Sequence, residues 1–462
     1  MEFLDRKREI AELRRVLSLP GASKLIVIYG RRRLGKSTLI KKIITQEDIY
    51  YMAGDFVPAV QMNMLRDQIK ERFPDIDVGQ TTSWHDLFRF LNILTKEPFT
   101  LCLDEFPYLV KHSPELPSVI QRLVDSGELK YNIIICGSSQ RMMQNMVLSS
   151  TEPLYGRASA ILNIKPIPVY YLKEGLKLSP TSTIEEYAVW GGVPRYWELR
   201  EGYSDLTEAI KGTLLSPIGI LNNEPKHIFM DDTSSAVQIE SIMTIIGSGV
   251  RRMSEIASRL GKVATALSLP LEKLINMNYL KREIPFGENI KKSKRGLYKI
   301  NDPMMDFYYS FVMPNKSNIE RGREDSVYSL IQSRFKDYVA HHWENLCREA
   351  VSGNEIFGHT WKEASRWWGS VKKDKEIIQL ELDVVTESTD GKAIMIGECK
   401  WTNPEIASQL IKELHYKISH LPFAQDKTVV PVLFLKSEPK DMDNTTDIKI
   451  LYPHDIINIS KG

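Results

Sequence analysis

A glycine-rich stretch near the amino terminus, GRRRLGKST, has the residue types and spacing that bind phosphate groups. It matches the pattern G-x-x-x-x-G-K-[ST], follows the apolar run KLIVIYG, and opens an apolar segment with helical spacing. In this context backbone N–H groups close around phosphate oxygens at a helix N-terminus, the lysine adds a positive charge, and the serine hydroxyl can ligate magnesium. The residues of this predicted phosphate site are Gly30, Arg31, Arg32, Arg33, Leu34, Gly35, Lys36, Ser37 and Thr38.

Two neighbouring carboxylates, Asp104 and Glu105, end a second apolar run, FTLCLDEF. The first acid can hold magnesium through water, and the second can orient a water molecule that attacks the γ-phosphate. A third run, YNIIICGSS, brings Ser138 to the same predicted edge, where its hydroxyl can sense the γ-phosphate, although serine is also a common turn residue. The chain lacks the [NT]KxD pattern of GTPases. We therefore expect ATP and Mg²⁺ as cofactors, with hydrolysis accompanying binding.

The carboxyl-terminal part carries a second set of charged residues, on two strand-like runs joined by an Asp-Gly turn, IIQLELDVVTES and AIMIGECKW. Residues two apart face the same side of a strand, so Glu398 and Lys400 point together, and pairing of the runs brings Asp383 near Glu398. Two carboxylates bind a hard cation, and a neighbouring lysine can orient water or stabilise charge on phosphate. Alternating charge is also a common solvent-facing pattern, so the pair alone is a weak signal.

This D…(E)xK arrangement resembles the signature of the PD-(D/E)XK nucleases. The resemblance implies a site for Mg²⁺ or Mn²⁺ made by Asp383 and Glu398, with Lys400 as the catalytic lysine. It also implies a further metal ligand, Glu344 in HHWENLC, from the preceding helix. Gln409 stands on the following predicted helix, where many such nucleases carry a glutamine. The activity implied is metal-dependent cleavage of DNA.

The composition of the chain limits the possible functions but does not decide between them. The formal net charge of 462 residues is +2, so attraction to nucleic acid must come from local clusters. The four cysteines stand far apart without a CxxC pair, which favours reduced core thiols over a zinc site. The first residues, MEFLDRKREI, contain no apolar signal region, and no stretch is apolar enough for a membrane span. We therefore expect a cytoplasmic protein with no membrane partner.

Several elements must position these residues. In the first third of the chain, apolar β-branched runs alternate with helix-like segments, which predicts a parallel sheet covered on both faces. From Ser254 the order helix, helix, hairpin suits a winged helix-turn-helix. Pro270 falls within its second helix, so either the helix starts there or the unit does not read a groove in the usual way. The predicted hairpin is basic, which fits phosphate contact or a solvated surface equally well: Lys281, Arg282, Lys291, Lys292, Lys294, Arg295 and Lys299.

Four segments in this order, FLDRKRE, LDEFPYL, PLYGRAS and WGGVPRY, resemble the archaeal-type AAA+ ATPases, relatives of the origin-recognition and STAND ATPases. The later segments YLKREIP and ELDVV…GECKW are similar to the DUF234 half of that family. The resemblance implies that Arg6 lies near the adenine and that Pro194 belongs to a helical lid. It also implies that Arg157 acts on the γ-phosphate in cis or in trans. A surface arginine in a loop is the alternative reading of Arg157.

Together these features predict an α/β multidomain fold with four parts: a P-loop AAA+ core over residues 1–165, a helical lid over 166–230, a winged helix over 231–318, and a PD-(D/E)XK-like α/β domain over 319–462. The leading hypothesis is an ATPase that couples nucleotide state to a C-terminal metal-dependent nuclease or DNA-binding domain. The competing hypothesis is a STAND-like, ATP-switched interaction protein whose nuclease fold is only a binding platform. DNA is the expected partner, and assembly into a homo-oligomer is compatible with the resemblance.

Overall fold

A computed structural model describes residues 4–21, 23–74, 81–93, 98–232, 236–373, 376–403, 407–439 and 447–461. The chain divides into two compact units, Phe3–Ile167 and Pro168–Gly462, called here the N-terminal unit and the C-terminal unit. The expected end of the ATPase core at residue 165 lies close to this division. The finer division of the C-terminal unit into lid, winged helix and nuclease-like domain stays a prediction.

The N-terminal unit alternates strands with helices, as the apolar runs predict. Its strands are β1 (Leu25–Tyr29), β2 (Ile49–Met52), β3 (Thr100–Asp104), β4 (Asn132–Gly137) and β5 (Ala160–Asn163). Its helices are α1 (Lys7–Leu17), α2 (Lys36–Ile43), α3 (Pro58–Arg72), α4 (Trp84–Leu91), α5 (Phe106–His112), α6 (Leu116–Asp125) and α7 (Gln140–Leu148).

All five strands of the N-terminal unit pair in parallel, in the order β2-β3-β4-β1-β5. Every residue of β1 and of β3 is buried, because helices cover both faces of the sheet, and this explains why their sequences are unbroken apolar runs. Since the strands run parallel, their carboxyl ends meet at one edge. The P-loop follows β1, Glu105 follows β3 and Ser138 follows β4 at that edge.

The first half of the C-terminal unit is helical and contains one hairpin. Its helices are α8 (Val169–Leu176), α9 (Pro180–Trp190), α10 (Pro194–Glu201), α11 (Leu206–Ile210), α12 (Glu224–Asp232), α13 (Ala236–Gly247), α14 (Met253–Arg259), α15 (Ser268–Asn276), α16 (Pro303–Phe307) and α17 (Lys316–Glu320). The antiparallel hairpin consists of β6 (Leu280–Glu283) and β7 (Leu297–Ile300).

Pro270 lies in the first turn of α15, which begins at Ser268. Backbone N–H groups of a first helical turn have no partner within the helix, so a proline there removes no helical hydrogen bond. The order α14, α15, hairpin matches the sequence prediction for this stretch. The proline therefore does not break the second helix.

The second half of the C-terminal unit is an α/β arrangement. Its helices are α18 (Glu324–Val351), α19 (Ala407–Ser419) and α20 (Pro453–Ile459). Its strands are β8 (Glu355–Ile356), β9 (His359–Thr360), β10 (Ser365–Lys373), β11 (Glu376–Glu387), β12 (Ala393–Lys400), β13 (Thr428–Leu435) and β14 (Lys449–Leu451).

Five of these strands form a mixed sheet in the order β10-β11-β12-β13-β14. The first three are antiparallel neighbours, while β12, β13 and β14 run parallel. The predicted hairpin is present as β11 and β12, with Val384 opposite Gly397. The strand β10 was not predicted, because the segment around SRWWGS has no clear alternation. Trp367 of β10 is nevertheless 8% exposed and packs against Phe423 with ring centroids 5.5 Å apart.

Two expectations drawn from composition can be compared with this fold. All four cysteines are buried free thiols, as expected for core residues: Cys102, Cys136, Cys347 and Cys399. In the ranges that the structure describes, no helix has both the length and the apolar character that a bilayer span needs.

Candidate functional site

The glycine-rich loop connects β1 to α2 and needs glycine at two positions. A Cβ on Gly30 would lie 2.6 Å from the backbone oxygen of Ile164, a distance that real side chains do not adopt. Gly35 precedes α2 with φ of +82°, in the left-handed region that favours glycine. The two glycines therefore let the backbone turn tightly into the N-terminus of α2, where N–H groups remain available for an anion.

Lys36, the first residue of α2, is buried at 6% exposure. Its ammonium group donates hydrogen bonds to the backbone oxygens of Gly30 (2.9 Å) and Arg31 (3.0 Å), so it lies against the loop itself. Burial lowers the pKa of Lys36, and the negative charges of Glu105 and Asp104 partly oppose that shift. The lysine therefore lies within electrostatic reach of both predicted carboxylates.

Asp104 ends β3 and is completely buried. Its Oδ1 accepts a hydrogen bond from the backbone N–H of Glu105 at 2.9 Å, and its Oδ2 accepts one from the hydroxyl of Tyr50 at 2.6 Å. Sequence reasoning missed Tyr50, which belongs to β2. Burial and the neighbouring Asp104 raise the pKa of the Tyr50 phenol, while hydrogen bonding with Ser37 lowers it. The phenol thus lies beside two predicted magnesium ligands.

Glu105 adopts a left-handed backbone conformation, with φ of +52°, immediately before α5. Its carboxylate accepts hydrogen bonds from the hydroxyl (2.8 Å) and the backbone N–H (3.2 Å) of Ser138. Neighbouring parallel strands therefore bring together the predicted water-orienting acid and the predicted sensing hydroxyl. A left-handed non-glycine residue is strained, and such strain clusters at functional sites.

These residues fit a nucleotide with magnesium. Mg²⁺ is usually held by one or two protein oxygens together with substrate phosphates and water. Ser37 and Asp104 supply such oxygens, and Gly35 leaves open space beside the backbone N–H groups that begin α2. Leu34 is buried within the loop, whereas Thr38 is exposed on α2. The loop arginine Arg32 donates a hydrogen bond to the hydroxyl of Tyr108 at 3.1 Å, and Arg33 adopts φ of +68°.

Arg6 ties the chain before α1 to the phosphate loop. Its guanidinium donates to the backbone oxygens of Leu34 (3.3 Å) and Lys165 (2.6 Å) and pairs with Glu9 at 3.0 Å. Arg6 is 4% exposed, so these contacts are internal. The arginine therefore braces the loop against the end of β5. Its predicted place near the adenine is not tested by these contacts.

Arg157 forms a two-pronged ion pair with Asp125 at the end of α6, with N–O distances of 2.7 and 2.9 Å. It also donates to the backbone oxygen of Tyr155. These bonds engage its guanidinium away from the phosphate loop. Pro194 begins α10 in the other unit, close to Gly191, whose backbone oxygen accepts a hydrogen bond from Trp197 at 2.6 Å. Roles for Arg157 and Pro194 toward a nucleotide stay predictions.

The C-terminal unit holds a second candidate site, a cleft of about 350 Å³ called here the carboxylate cleft. All four residues predicted for a nuclease centre line it, from α18, β11 and β12. The cleft also has charged residues that the sequence did not single out. Its lining residues are Lys336, Asp337, Ala340, Glu344, Glu381, Asp383, Glu398, Cys399, Lys400, Trp401, Thr402 and Lys417.

The carboxylates of this cleft influence one another. Burial, and then the negative charge of Glu344, raise the pKa of Asp383. Burial and the charge of Asp383 likewise raise the pKa of Glu398, with Lys417 opposing. Burial alone would raise the pKa of Glu344 too, but His341, 3.7 Å away, and the charge of Arg348 hold it below its usual value. Asp383 is fixed by the backbone N–H of Cys399, which donates to its Oδ2 at 2.9 Å.

Lysines occupy the space beside these acids. The Lys417 ammonium on α19 donates to Glu398 Oε1 at 2.6 Å and to the backbone oxygen of Glu381 at 2.9 Å. Lys400 lies 3.6 Å from Glu398 Oε2. Gln409, predicted to contribute from the same helix, instead donates to Glu413 on the exposed side of α19. No sequence pattern pointed to Lys417, because its distance from the strands depends on how α19 lies on the sheet.

The predicted metal site of Glu344, Asp383 and Glu398 is not assembled as a ligand cluster. Among the residues that the structure describes, no group of three or more His, Cys, Asp or Glu side chains is arranged to hold a metal ion. The three acids share a cleft, but the nearest partner of Glu398 is an ammonium group. As they lie here, Glu398 is paired with a lysine and the three acids are not grouped as metal ligands.

The basic hairpin turns out to be largely engaged in structural contacts. Glu283 of β6 is surrounded by four cations: Lys299 at 2.7 Å, Lys281 at 3.4 Å, Arg366 at 3.6 Å and Arg348 at 3.7 Å.

The loop between the two strands engages more of the basic residues. Arg282 donates to two backbone oxygens of that loop, those of Ile290 (2.7 Å) and Ser293 (2.6 Å). Arg295 pairs with Glu288. The remaining basic residues of the predicted cluster are exposed: Lys291, Lys292 and Lys294.

Comparisons with known proteins agree with this architecture. Residues 3–198 match a family described as an ATPase domain predominantly from Archaea. Residues 308–414 match DUF234, described as "Archaea bacterial proteins of unknown function". The uncharacterized protein MJECL04 of Methanocaldococcus jannaschii is 30% identical over 408 residues, which cover 86% of this chain and 87% of that protein.

Two solved structures match much of this chain. The Walker-type ATPase PABY2304 of Pyrococcus abyssi is 22% identical, with a TM-score of 0.53 over 67% of this chain and 96% of that chain. The Aeropyrum pernix ORC2 protein is 14% identical, with a TM-score of 0.48 over 70% of this chain and 96% of that chain. At this identity, the first of these supports a shared fold and nothing finer.

Proposed function

This chain belongs to the archaeal ATPase family and carries a C-terminal DUF234 region, and we propose that it binds and hydrolyses ATP at the edge of its parallel sheet. One observation carries the proposal: the Glu105 carboxylate is hydrogen-bonded to Ser138 at the same edge where buried Lys36 lies on the phosphate loop. A chance loop would not bring an acid, a hydroxyl and a lysine from three strands to one place.

Each residue has a defined task in this proposal. The loop from Gly30 to Thr38 binds phosphate through its backbone N–H groups, and the Lys36 ammonium moves from loop oxygens to phosphate oxygens. Ser37 and Asp104 would hold Mg²⁺, which supplies charge neutralisation on the phosphates when bound. Glu105 orients the attacking water, and Ser138 holds Glu105 in position.

The test is phosphate release from ATP by the full chain with Mg²⁺. We expect Lys36→Ala to lose nucleotide binding, and Glu105→Gln to bind nucleotide but to lose turnover. Glu115→Gln is the matched control, because Glu115 is an exposed acid of the same unit that makes no capping hydrogen bond. Equal turnover by the parent and Glu105→Gln would reject the proposed role of Glu105.

A second function, metal-dependent DNA cleavage controlled by the ATPase, is supported by one observation. Glu344, Asp383, Glu398 and Lys400 all line the carboxylate cleft, and the order α18, β10, β11, β12, α19, β13 places a helix before and after the hairpin. The exposed lysines of the β6–β7 loop would supply phosphate contacts. Their contribution should appear as salt-dependent DNA binding.

One observation also supports the alternative function, an ATP-switched interaction protein whose nuclease-like region binds a partner and does not cleave DNA. The Lys417 ammonium neutralises Glu398 directly, as an internal cation in the place where a metal would bind. Incubation of plasmid and single-stranded DNA with Mg²⁺ or Mn²⁺ separates the two readings. Cleavage lost in Asp383→Ala and Lys400→Ala, and retained in a Glu413→Gln control on the exposed face of α19, supports the nuclease. Equal cleavage by parent and site variants rejects it.

A further inference from the structure

Tyr50 reaches the magnesium side of the nucleotide site from β2. This strand pairs in parallel with β3, where Tyr50 lies opposite Cys102 and Met52 lies opposite Asp104. The phenol is half-buried, and its hydroxyl donates to Asp104 Oδ2 at 2.6 Å. A hydrogen bond to a charged acceptor at this distance is among the stronger ones in proteins.

The Tyr50 hydroxyl also interacts with the Ser37 side chain, which opposes the upward pKa shift caused by burial and by Asp104. The phenol therefore occupies an oxygen of Asp104, one of the two side chains proposed to hold Mg²⁺. A phenol can donate one hydrogen bond and accept others, so it can satisfy a carboxylate and a hydroxyl together. No other role proposed for the site uses this residue.

Asp104 needs such a partner. Its carboxylate is completely buried, and a buried charge is costly unless it is hydrogen-bonded. Oδ1 is occupied by the Glu105 N–H and Oδ2 by Tyr50. Mg²⁺ held by Asp104 would also need a carboxylate oxygen, either directly or through one of its water molecules. Tyr50 and the cation would therefore compete for the Asp104 carboxylate.

We propose that Tyr50 is a positioning residue that latches Asp104 in the nucleotide-free protein and is displaced when a Mg²⁺–nucleotide complex binds. The latch keeps the buried carboxylate satisfied without a metal. It also raises the Mg²⁺ concentration that nucleotide binding requires. This inference rests on the proposed function, because it concerns the regulation of the same site.

The adjacent residue provides a matched control. Tyr51 lies on the same strand with its side chain on the opposite face, where its hydroxyl donates to Gln61. Tyr50→Phe and Tyr51→Phe each remove one hydroxyl and keep the ring. The ring of Tyr50 also lies under the Lys41 ammonium, 5.2 Å from its centroid, and the phenylalanine preserves that contact.

The experiment is a Mg²⁺ titration of the full chain with a fluorescent ADP analogue, read as nucleotide binding. In Tyr50→Phe we expect the half-saturating Mg²⁺ concentration to fall by about tenfold, because a charge-assisted hydrogen bond no longer competes. Affinity measured in EDTA should stay within about twofold of the parent, since the latch acts on the metal and not on the phosphates. Tyr51→Phe should match the parent in both measurements.

A second measurement, by fluorine NMR, keeps the hydroxyl of Tyr50 in place. With 3-fluorotyrosine placed at position 50 alone, the fluorine NMR signal should shift when Mg²⁺–ADP is added and stay in place when ADP is added with EDTA. An unshifted signal with Mg²⁺–ADP overturns the latch, as does an unchanged or higher Mg²⁺ requirement in Tyr50→Phe. If the parent binds no nucleotide at all, the proposed function fails together with the latch; Mg²⁺-dependent binding that ignores Tyr50 rejects only the latch.

Discussion

The carboxylate of Glu105 accepts hydrogen bonds from both the hydroxyl and the backbone N–H of Ser138, at 2.8 and 3.2 Å. Glu105 follows β3 and Ser138 follows β4, so the contact joins two neighbouring parallel strands at their carboxyl ends. The backbone N–H would remain if the serine side chain were shortened. Replacing Ser138 with alanine therefore removes only the hydrogen bond from the hydroxyl to Glu105, and with it part of the orientation of that carboxylate.

Ser138→Ala should slow ATP turnover and leave nucleotide affinity nearly unchanged. Losing one hydrogen bond to a charged acceptor corresponds to a fall in kcat of roughly tenfold. Steady-state phosphate release with separate kcat and KM values measures this. Ser139→Ala is the control, because the neighbouring Ser139 makes no side-chain capping hydrogen bond. A change in KM without a change in kcat would contradict the assigned role.

Lys36→Ala should abolish stabilisation by nucleotide. A ligand that binds only the folded protein stabilises it by about 2.7 kcal/mol at roughly 100 times its Kd, and Lys36 supplies the charge that holds the phosphates. Thermal unfolding with and without Mg²⁺–ATP measures the difference. Lys42→Ala is suitable for comparison, because Lys42 is an exposed lysine on the same helix. Equal nucleotide-induced shifts in the parent and Lys36→Ala would exclude a phosphate contact.

Glu283→Gln should destabilise the C-terminal unit by about 3 kcal/mol, because it leaves several largely buried cations without their counter-charge. Urea unfolding followed by circular dichroism measures this, with the exposed Glu272→Gln of α15 as control. If Glu283→Gln lowered the free energy of unfolding no more than Glu272→Gln does, the neighbouring cations would not depend on Glu283.

The stability that Glu283 contributes should also depend on pH. Burial opposes its charge, yet Lys299 and Lys281 hold the pKa of Glu283 far below its usual value. A depressed carboxyl pKa contributes stability that is complete above the unfolded value of about 4.3 and is lost as pH falls toward the folded value. The difference between the parent and Glu283→Gln should therefore shrink from about pH 6 to about pH 3. A constant difference would contradict the ion-pair explanation.

Asp383→Asn should raise the melting temperature at neutral pH. Burial and Glu344 raise the pKa of Asp383 in the folded protein. At pH values between the ordinary pKa of an aspartate and this raised pKa, the folded state therefore binds more protons than the unfolded state. Stability from this group falls as pH rises through that window and stays reduced above it. The amide removes that penalty and can still accept the Cys399 N–H. Calorimetry at neutral and acidic pH tests this, and an Asn variant less stable than the parent at neutral pH contradicts it.

Much of the nucleotide site could be predicted from local sequence. Gly30, Gly35, Lys36 and Ser37 are neighbours in the chain, so their spacing alone implies a loop that opens a helix. Asp104 and Ser138 end apolar runs, and in a parallel sheet such ends share one edge. The β11–β12 hairpin was similarly local, because an Asp-Gly turn between two apolar runs sets which residues face each other.

The sequence by itself determined the loop, the strand ends and the hairpin, because each depends on backbone conformation within a few consecutive residues. Only the tertiary structure decided which side chains from distant elements meet. Tyr50 reaches Asp104 because β2 lies beside β3, and Lys417 reaches Glu398 because α19 lies across the mixed sheet. Glu283 gathers cations from β7, α18 and β10, so two lysines of the basic cluster predicted from the sequence, Lys281 and Lys299, are paired inside the fold. Long side chains reach across elements, and strand order and helix placement are set by burial of the whole core.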